Sequence, residues 1–292
     1  MIKVLSYCLF EPKVLPQHRY WDNLRQDPHR YWYNIPALVL ANKILYPDYK
    51  MYLYVSKNIW DNPNSNILPI LETVGNLKIH TIDWEYSLTE PAIWRMIPLW
   101  DPEVGIFHTR DLDSIPTEIE YQYVRVFERS SYAMGTLRTN RAHTPNGAGL
   151  KCRMLAGLSS FKPQQVPVNL KLNNFSEYYE KRHPNYGSDQ DLMVSQFTMD
   201  PTYTKDKFLD HCAYDQKDPQ HFPCGSVKPE WMENVIISSE KKEISTSLKK
   251  NNLDNWAGEP VDARGDFTLQ LLQKPQFENI FTEMTRQLVW KI

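Results

Sequence analysis

The chain has 292 residues, and its 33 Lys and Arg residues nearly balance its 35 Asp and Glu residues, for a net charge of −2. Without a basic excess, we expect no dedicated nucleic-acid binding. No apolar run approaches the roughly 20 residues that a membrane span requires. The first ten residues lead into Glu11-Pro12-Lys13 instead of a small-residue cleavage site, so we expect neither a membrane span nor a signal peptide.

The four cysteines are widely separated and include no CxxC pair. This spacing argues against a disulfide framework and against a thiolate zinc site. We therefore expect reduced thiols and a cytoplasmic location. With 21 prolines, 10 glycines and 13% aromatic residues, the composition is typical of a well-packed globular fold with rigid loops.

Short apolar strands alternate with helical patterns along the first half of the chain. The pattern predicts strands at Ile2–Tyr7, Lys50–Ser56, Leu77–Ile82 and Gly105–Thr109, and helices at Ile35–Leu45, Ile67–Val74 and Ala92–Leu99. Such alternation indicates right-handed βαβ units and a mostly parallel central sheet flanked by helices. The predicted fold class is therefore α/β, with a Rossmann-like first half.

The second half of the chain is less regular. We predict a helix at Thr117–Phe127, opened by a capping box between Thr117 and Glu120, and then a strand at Tyr132–Leu137. Phe161–Val168 is expected to be a loop, and the polar stretch Ser239–Asn252 is expected to be exposed and mobile. No repeat or linker divides the chain, so we expect one domain over residues 1–292.

The residues directly after the fourth predicted strand are Arg110-Asp111-Leu112-Asp113-Ser114. Ligands of open α/β sheets bind beyond the carboxyl ends of the strands. In extended backbone Asp111 and Asp113 share one face while Leu112 points into the core. Two such carboxylates can bind a hard divalent cation, Mg²⁺ or Mn²⁺, together with phosphate oxygens. The alternative is that Asp113 or Ser114 only caps the following helix.

A second polar motif, Tyr186-Gly187-Ser188-Asp189-Gln190-Asp191, precedes a helical apolar pattern. Ser188 and Asp191 fit a capping box, which is a purely structural role. Asp189 and Gln190 are not needed for that cap. On the first helical turn they can face a polar substrate at the positive end of the helix dipole.

Common catalytic fingerprints are absent from the sequence. Gly147-x-Gly149 lacks the third glycine of a dinucleotide site, because Cys152 stands there, and no P-loop, G-x-S-x-G or H-E-x-x-H motif occurs. His211 is either a third metal ligand or a structural histidine.

The order of these motifs resembles GT-A fold glycosyltransferases, in particular the small soluble enzymes of bacteria and large DNA viruses that share RDLDS and G-S/D-D-Q-D motifs. The resemblance covers roughly residues 1–215 and includes Trp94-Arg95 in the helix before the fourth strand. It implies a GT-A-like single domain, with residues 1–115 as the nucleotide-sugar half and residues 116–292 as the acceptor and catalytic half. A host-cell cytoplasm is the expected location if the source is a virus.

The resemblance also assigns roles to individual residues. It implies a metal pair, Asp111 and Asp113, for Mn²⁺ or Mg²⁺, with His211 as an open third position. The residues on the donor side would be Ser6, Tyr7, Arg95, Arg110, Asp111 and Asp113, with Tyr7 stacking on the base. The acceptor side would hold Arg138, His143 and Gly157. The catalytic region would hold Asp189, Gln190 and Asp191.

These features give the hypothesis of a metal-dependent glycosyltransferase. The sugar of a nucleotide-diphosphate donor, with UDP favoured and GDP next, would pass to a hydroxyl of a glycan or glycoprotein acceptor. One alternative is a sugar nucleotidyltransferase, although such enzymes carry a glycine-rich basic loop where this chain has Cys8-Leu9-Phe10-Glu11-Pro12. The other is a non-catalytic carbohydrate-binding protein derived from a transferase.

Overall fold

The computed structural model describes residues 1–10, 34–60, 67–74, 76–86, 90–112, 114–116, 118–138, 154–182, 188–197, 208–212 and 258–260. The strands are β1 (Ile2–Leu9), β2 (Lys50–Ser56), β3 (Leu77–Ile82), β4 (Val104–Thr109), β5 (Ser114–Pro116), β6 (Met134–Arg138), β7 (Ser159–Phe161), β8 (Phe208–Cys212) and β9 (Gly258–Pro260). The helices are α1 (Asn34–Leu45), α2 (Lys57–Trp60), α3 (Ile67–Val74), a 3₁₀ helix (Glu90–Trp100), α4 (Glu118–Arg129), α5 (Val168–Lys171), α6 (Phe175–Glu180) and α7 (Ser188–Phe197).

The central sheet has the strand order β3-β2-β1-β4-β7-β6-β8. The four strands β3, β2, β1 and β4 are parallel, β7 is antiparallel to both of its neighbours, and β6 and β8 again run parallel to each other. The predicted α/β class with a mostly parallel sheet is therefore confirmed. The order reverses between β1 and β4, which is the topological switch point where ligands of such sheets bind.

The predicted bounds of β2, α3 and β3 are confirmed residue for residue. The segment predicted at Ala92–Leu99 is helical but has 3₁₀ geometry, because an α-helix would press the Pro98 ring against the Trp94 carbonyl. The loop predicted at Phe161–Val168 is shorter than expected, since Phe161 ends β7 and Val168 begins α5. Residues 239–252 lie outside the described residues.

Side chains of β1 alternate between two apolar cores, one on each face of the sheet. Leu5, Tyr7 and Leu9 pack with α1, α3 and α4. On the other face Val4 packs with the 3₁₀ helix, α6 and α7, with Cys8 against the same core. The result is a three-layer sandwich with helices on both faces. None of the helices in the ranges given above is long and apolar enough to cross a membrane.

Strand β5, directly after the Asp-Leu-Asp segment, forms a separate antiparallel pair with β9. In this pair Ser114 is opposite Pro260 and Ile115 is opposite Glu259. The fold therefore brings residues near position 259 to the segment that follows the predicted metal pair.

A fully buried histidine, His108, links β4 to its neighbours. The Tyr49 hydroxyl donates to Glu128 Oε1 (2.8 Å) and accepts from His108 Nε2 (3.1 Å), while the Ser160 hydroxyl donates to Nδ1 (2.6 Å). Burial lowers the pKa of His108 well below its usual value, and the charge of Arg110 lowers it further. The imidazole is therefore neutral in the folded protein.

Because His108 is neutral in the folded protein, we expect the protein to lose stability in mild acid. The unfolded chain takes up a proton at His108 near pH 6.5 and the folded chain does not, so the free energy of unfolding falls as pH drops below that value and is flat above it. Relative to a His108→Gln variant, wild type should lose about 1 kcal/mol between pH 7.5 and 5.5. Urea denaturation at both pH values measures this difference, and parallel losses in the two proteins would contradict the prediction.

Candidate active site

The carboxyl ends of β1 and β4 meet at the switch point. The backbone N–H of Arg110 donates to the Ser6 carbonyl (2.9 Å), so regular pairing continues one residue past β4, and Asp111 is the first residue beyond it. Leu112 is buried in the core, as the alternation predicts. The side chain of Asp111 is 49% exposed and thus lies at the open edge of the sheet.

Arg95, on the 3₁₀ helix, joins two carboxylates at this edge. Its Nη1 forms an ion pair with Asp111 Oδ1, its Nη2 donates to Asp189 Oδ2 (2.9 Å), and its Nε donates to the Ala92 carbonyl (2.8 Å). Arg95 is only 6% exposed. One buried guanidinium therefore fixes the distance and orientation of both acids.

The two acids differ in their surroundings. The side chain of Asp189 is 12% exposed, and burial raises the pKa of this carboxyl. Arg95 opposes that rise and the charge of Asp111 adds to it. Burial by itself lowers the pKa of Arg95, but the two carboxylates outweigh this effect and the pKa is raised. The guanidinium is therefore a permanent cation, with Asp111 as its solvent-facing partner.

Gly157 lies directly against Asp111. A Cβ at this glycine would stand 2.5 Å from Asp111 Cγ and even closer to Oδ2, too close for any side chain. The backbone of the segment before β7 can approach the carboxylate only because residue 157 is glycine.

The polar residues in the first turn of α7 differ in their exposure to solvent. Ser188 and Asp189 are buried, Gln190 is half-buried and Asp191 is exposed. The predicted capping box of Ser188 and Asp191 is wrong, because the helix begins at Ser188 itself, and among the described residues the buried Ser188 Oγ has no hydrogen-bond partner.

Arg110 points to the opposite face of the sheet. Its Nε donates to Glu120 Oε1 (2.6 Å) and its Nη1 to the Thr109 carbonyl (2.7 Å), and both side chains are buried. Burial raises the pKa of Glu120 and the charge of Arg110 counteracts that rise. The expectation that Arg110 binds the donor is not met in this arrangement, because Glu120 holds its guanidinium on the α4 side of the sheet.

Tyr7 and Ser6 are also enclosed. Tyr7 is 1% exposed, and its hydroxyl accepts from Asn42 Nδ2 (3.1 Å), so no face of the ring is open for base stacking as the resemblance implied. Ser6 is fully buried, and its Oγ has no hydrogen-bond partner in the part of the chain that is described.

The remaining predicted site residues are only partly located. Asp113 and His143 lie outside the described residues. Arg138 is the last residue of β6 and lies opposite Cys212 of β8. His211 lies on β8, opposite Leu137 of β6. Both residues are therefore near the carboxyl ends of their strands. In the sheet order β8 is three strands from β4, about 14 Å at usual strand spacing.

The sequence prediction gave Glu120 only a capping role and missed it as the partner of Arg110. A signal was present, since Glu120, Val124 and Phe127 share one face of α4, and the other two pack into the core. An acid at a core-facing position of a helix requires a buried cation nearby.

No protein-family model and no curated protein matches this sequence. One similar solved structure is 4-diphosphocytidyl-2C-methyl-D-erythritol synthase from Anaerococcus prevotii, at 9% identity and a TM-score of 0.42, covering 85% of this chain and 98% of that one. Another is a mycobacterial protein at 11% identity and a TM-score of 0.38, covering 68% and 62% of the two chains. Similarities this weak carry no information on activity.

The contact at Gly157 predicts that substitutions of Gly157 and Asp111 have coupled effects on the free energy of unfolding. Gly157→Ala should displace the Asp111 carboxylate and lower the free energy of unfolding by about 1–3 kcal/mol through overpacking. In an Asp111→Ala background the obstacle is gone, so the same substitution should cost much less. Urea denaturation of the four proteins of this cycle measures the coupling. Equal costs in both backgrounds would contradict the close contact.

The shared arginine gives a second prediction for this site. Arg95→Gln leaves Asp189 buried without its cation and should lower the free energy of unfolding by about 3–5 kcal/mol. Adding Asp189→Asn removes the uncompensated charge and should restore part of the loss. Urea denaturation compares the single and double variants. A further loss in the double variant would show that Asp189 does not depend on Arg95.

Proposed function

We propose that this protein is a metal-dependent glycosyltransferase that transfers a sugar from a nucleotide-diphosphate donor to a hydroxyl of a glycan or glycoconjugate acceptor. The observation that carries the proposal is the Arg95 bridge at the switch-point edge, between the half-exposed Asp111 and the buried Asp189. A fixed cation beside an outward carboxylate suits a bound diphosphate, whose charge grows as the glycosidic bond breaks. The order of the RDLDS and GSDQD motifs adds to this support.

The proposed metal is Mn²⁺ or Mg²⁺. Among the described side chains there is no group of three His, Cys, Asp or Glu that could hold an ion. Asp111 offers one outward carboxylate of the hard oxygen type that these cations prefer, and Asp113 would supply the second. His211 remains a proposed third position. When bound, the cation would neutralise charge on the diphosphate as a Lewis acid.

The side chains of the protein would supply the other contributions to catalysis. Arg95 would hold Asp111 in place and offset the negative charge of Asp111 and Asp189 next to the diphosphate. Asp189 and Gln190 would line the reacting sugar, and in a retaining reaction they would flank its anomeric carbon. In an inverting reaction a carboxylate accepts the acceptor's proton. Asp189, which is held by Arg95, and the exposed Asp191 are the two candidates for that role.

A thermal-shift panel of UDP, GDP, CMP and dTDP, with and without Mn²⁺, tests the proposal. UDP is the expected ligand, with GDP next. A ligand at about 100 times its Kd adds about 2.7 kcal/mol to the folded state, a Tm rise of about 5 °C. We expect Asp111→Asn to lose the metal-dependent rise. The control Glu103→Gln, an exposed acid at the opposite end of β4, should keep it.

The outcomes separate the proposal from its two alternatives. A metal-dependent shift followed by transfer or hydrolysis of the matching nucleotide sugar supports a glycosyltransferase. Release of pyrophosphate from a nucleoside triphosphate and a sugar phosphate would instead identify a sugar nucleotidyltransferase. Sugar binding with no nucleotide shift would favour a carbohydrate-binding protein. An equal shift in wild type and Asp111→Asn would remove Asp111 from the site.

A further inference from the structure

An exposed tryptophan follows the carboxyl end of β3. The Trp84 indole is 42% exposed and stacks on Phe175 of α6, with ring centroids 5.6 Å apart and 24° between the planes. Tyr179 of the same helix contacts it at 5.4 Å and 59°. Phe175 and Tyr179 thus hold the indole in one orientation, while a large part of it faces solvent.

A charged pair lies beside these rings. The Arg182 guanidinium lies over the Tyr179 ring, 3.9 Å from its centroid, and its Nε is 3.0 Å from Glu90 Oε2. The Tyr179 hydroxyl also donates to Glu90 Oε2 (3.4 Å). The Glu90 side chain is 7% exposed and that of Arg182 is 27% exposed, so solvent reaches Arg182 more than it reaches Glu90. We call Trp84, Phe175, Tyr179, Arg182 and Glu90 the Trp84 platform.

The Trp84 platform and the Arg95 bridge share their supporting elements. Glu90 begins the 3₁₀ helix that carries Arg95, five residues or about 10 Å further on. Helix α6 precedes α7, which carries Asp189, and both helices pack against the 3₁₀ helix. Because β3 and β4 run in the same direction, residues just after them lie at the same edge of the sheet.

We propose that the Trp84 platform is a subsite for a neutral sugar ring of the glycan acceptor, an inference that rests on the proposed function. The C–H face of a pyranose would cover the exposed indole, and its hydroxyls would accept hydrogen bonds from Arg182. We expect the bound sugar ring to be uncharged, because Glu90 already neutralises Arg182 and the platform carries no net charge. The helix position of Glu90 in this platform lies about 10 Å from that of Arg95, which suits a ring further along the glycan than the one that reacts.

Ligand-observed NMR titration of the full chain tests this subsite, with maltotriose, cellotriose and triacetylchitotriose as neutral probes and sialyllactose as a charged one. This readout does not depend on the indole as a reporter. We expect at least one neutral trisaccharide to bind, and Trp84→Ala to weaken it about tenfold, the equivalent of about 1.4 kcal/mol. Trp84→Phe keeps an aromatic face and should retain most of the affinity.

Trp100→Phe is the matched control for packing. Trp100 contacts Phe175 (5.6 Å) and Tyr178 (5.3 Å) of the same helix but is not part of the Trp84 platform. If loosening of α6 were the cause of weaker binding, this variant would weaken it as well. Tm values for all variants show whether each one folds.

The outcomes distinguish the subsite from the proposed function. Equal saccharide affinity in wild type and Trp84→Ala, no binding by wild type at millimolar probe, or preferred binding of sialyllactose would each overturn the subsite. The nucleotide panel on wild type is read independently. A metal-dependent nucleotide shift with Trp84-independent saccharide binding keeps the proposed function and rejects the subsite. Trp84-dependent saccharide binding without any nucleotide shift supports sugar recognition here and rejects the transferase.

Discussion

The burial of one guanidinium between two carboxylates determines the arrangement of the candidate site. Arg95 can stay buried only because Asp111 and Asp189 neutralise it and the Ala92 carbonyl takes up a third N–H. The two acids come from the end of β4 and the start of α7, so this ion-pair network connects the parallel half of the sheet to the second half of the chain. Gly157 completes it by bringing a third segment against Asp111.

Strand alternation explains why neighbouring residues of one motif have different tasks. At the end of β4 successive side chains point to opposite faces, so Asp111 meets Arg95 while Arg110 and Leu112 pack on the α4 side. The same rule sends Tyr7 into the core with α1 and leaves Cys8 on the side of the 3₁₀ helix. Arg110 therefore stabilises the base of the site through Glu120, while Arg95 is the buried cation that holds Asp111 at the open edge.

Together these features produce a gradient of exposure among the charged side chains at this edge of the sheet. Asp111 is half-exposed, Asp189 lies behind it with a raised pKa, and the Arg95 cation separates them. This gradient is the physical basis of the proposed transferase chemistry, in which charge on a diphosphate develops beside a fixed cation. The Trp84 platform extends the same edge with an aromatic surface that carries no net charge, which fits the proposed extended glycan acceptor.

The sequence by itself determined the first half of the fold. Alternating short strands and helices predict a parallel sheet, and the bounds of β2, α3 and β3 follow from local periodicity alone. The position of Asp111 beyond a strand end was equally readable, because it depends on neighbours in sequence. The three-residue strand β7 was not predictable, since its hydrogen bonds go to β4 and β6 and its own sequence is too short for a pattern.

Only the tertiary structure decided the partners of the charged residues. Arg95 and Asp189 are 94 positions apart, and no local pattern states that they meet. Likewise, Arg110 was expected at the ligand and is instead held by Glu120 on the other face of the sheet. Local periodicity fixes which residues form strands and helices, whereas burial of charge is settled between segments that are distant in sequence. The motifs were therefore recognisable in the sequence, but the role of each side chain was not.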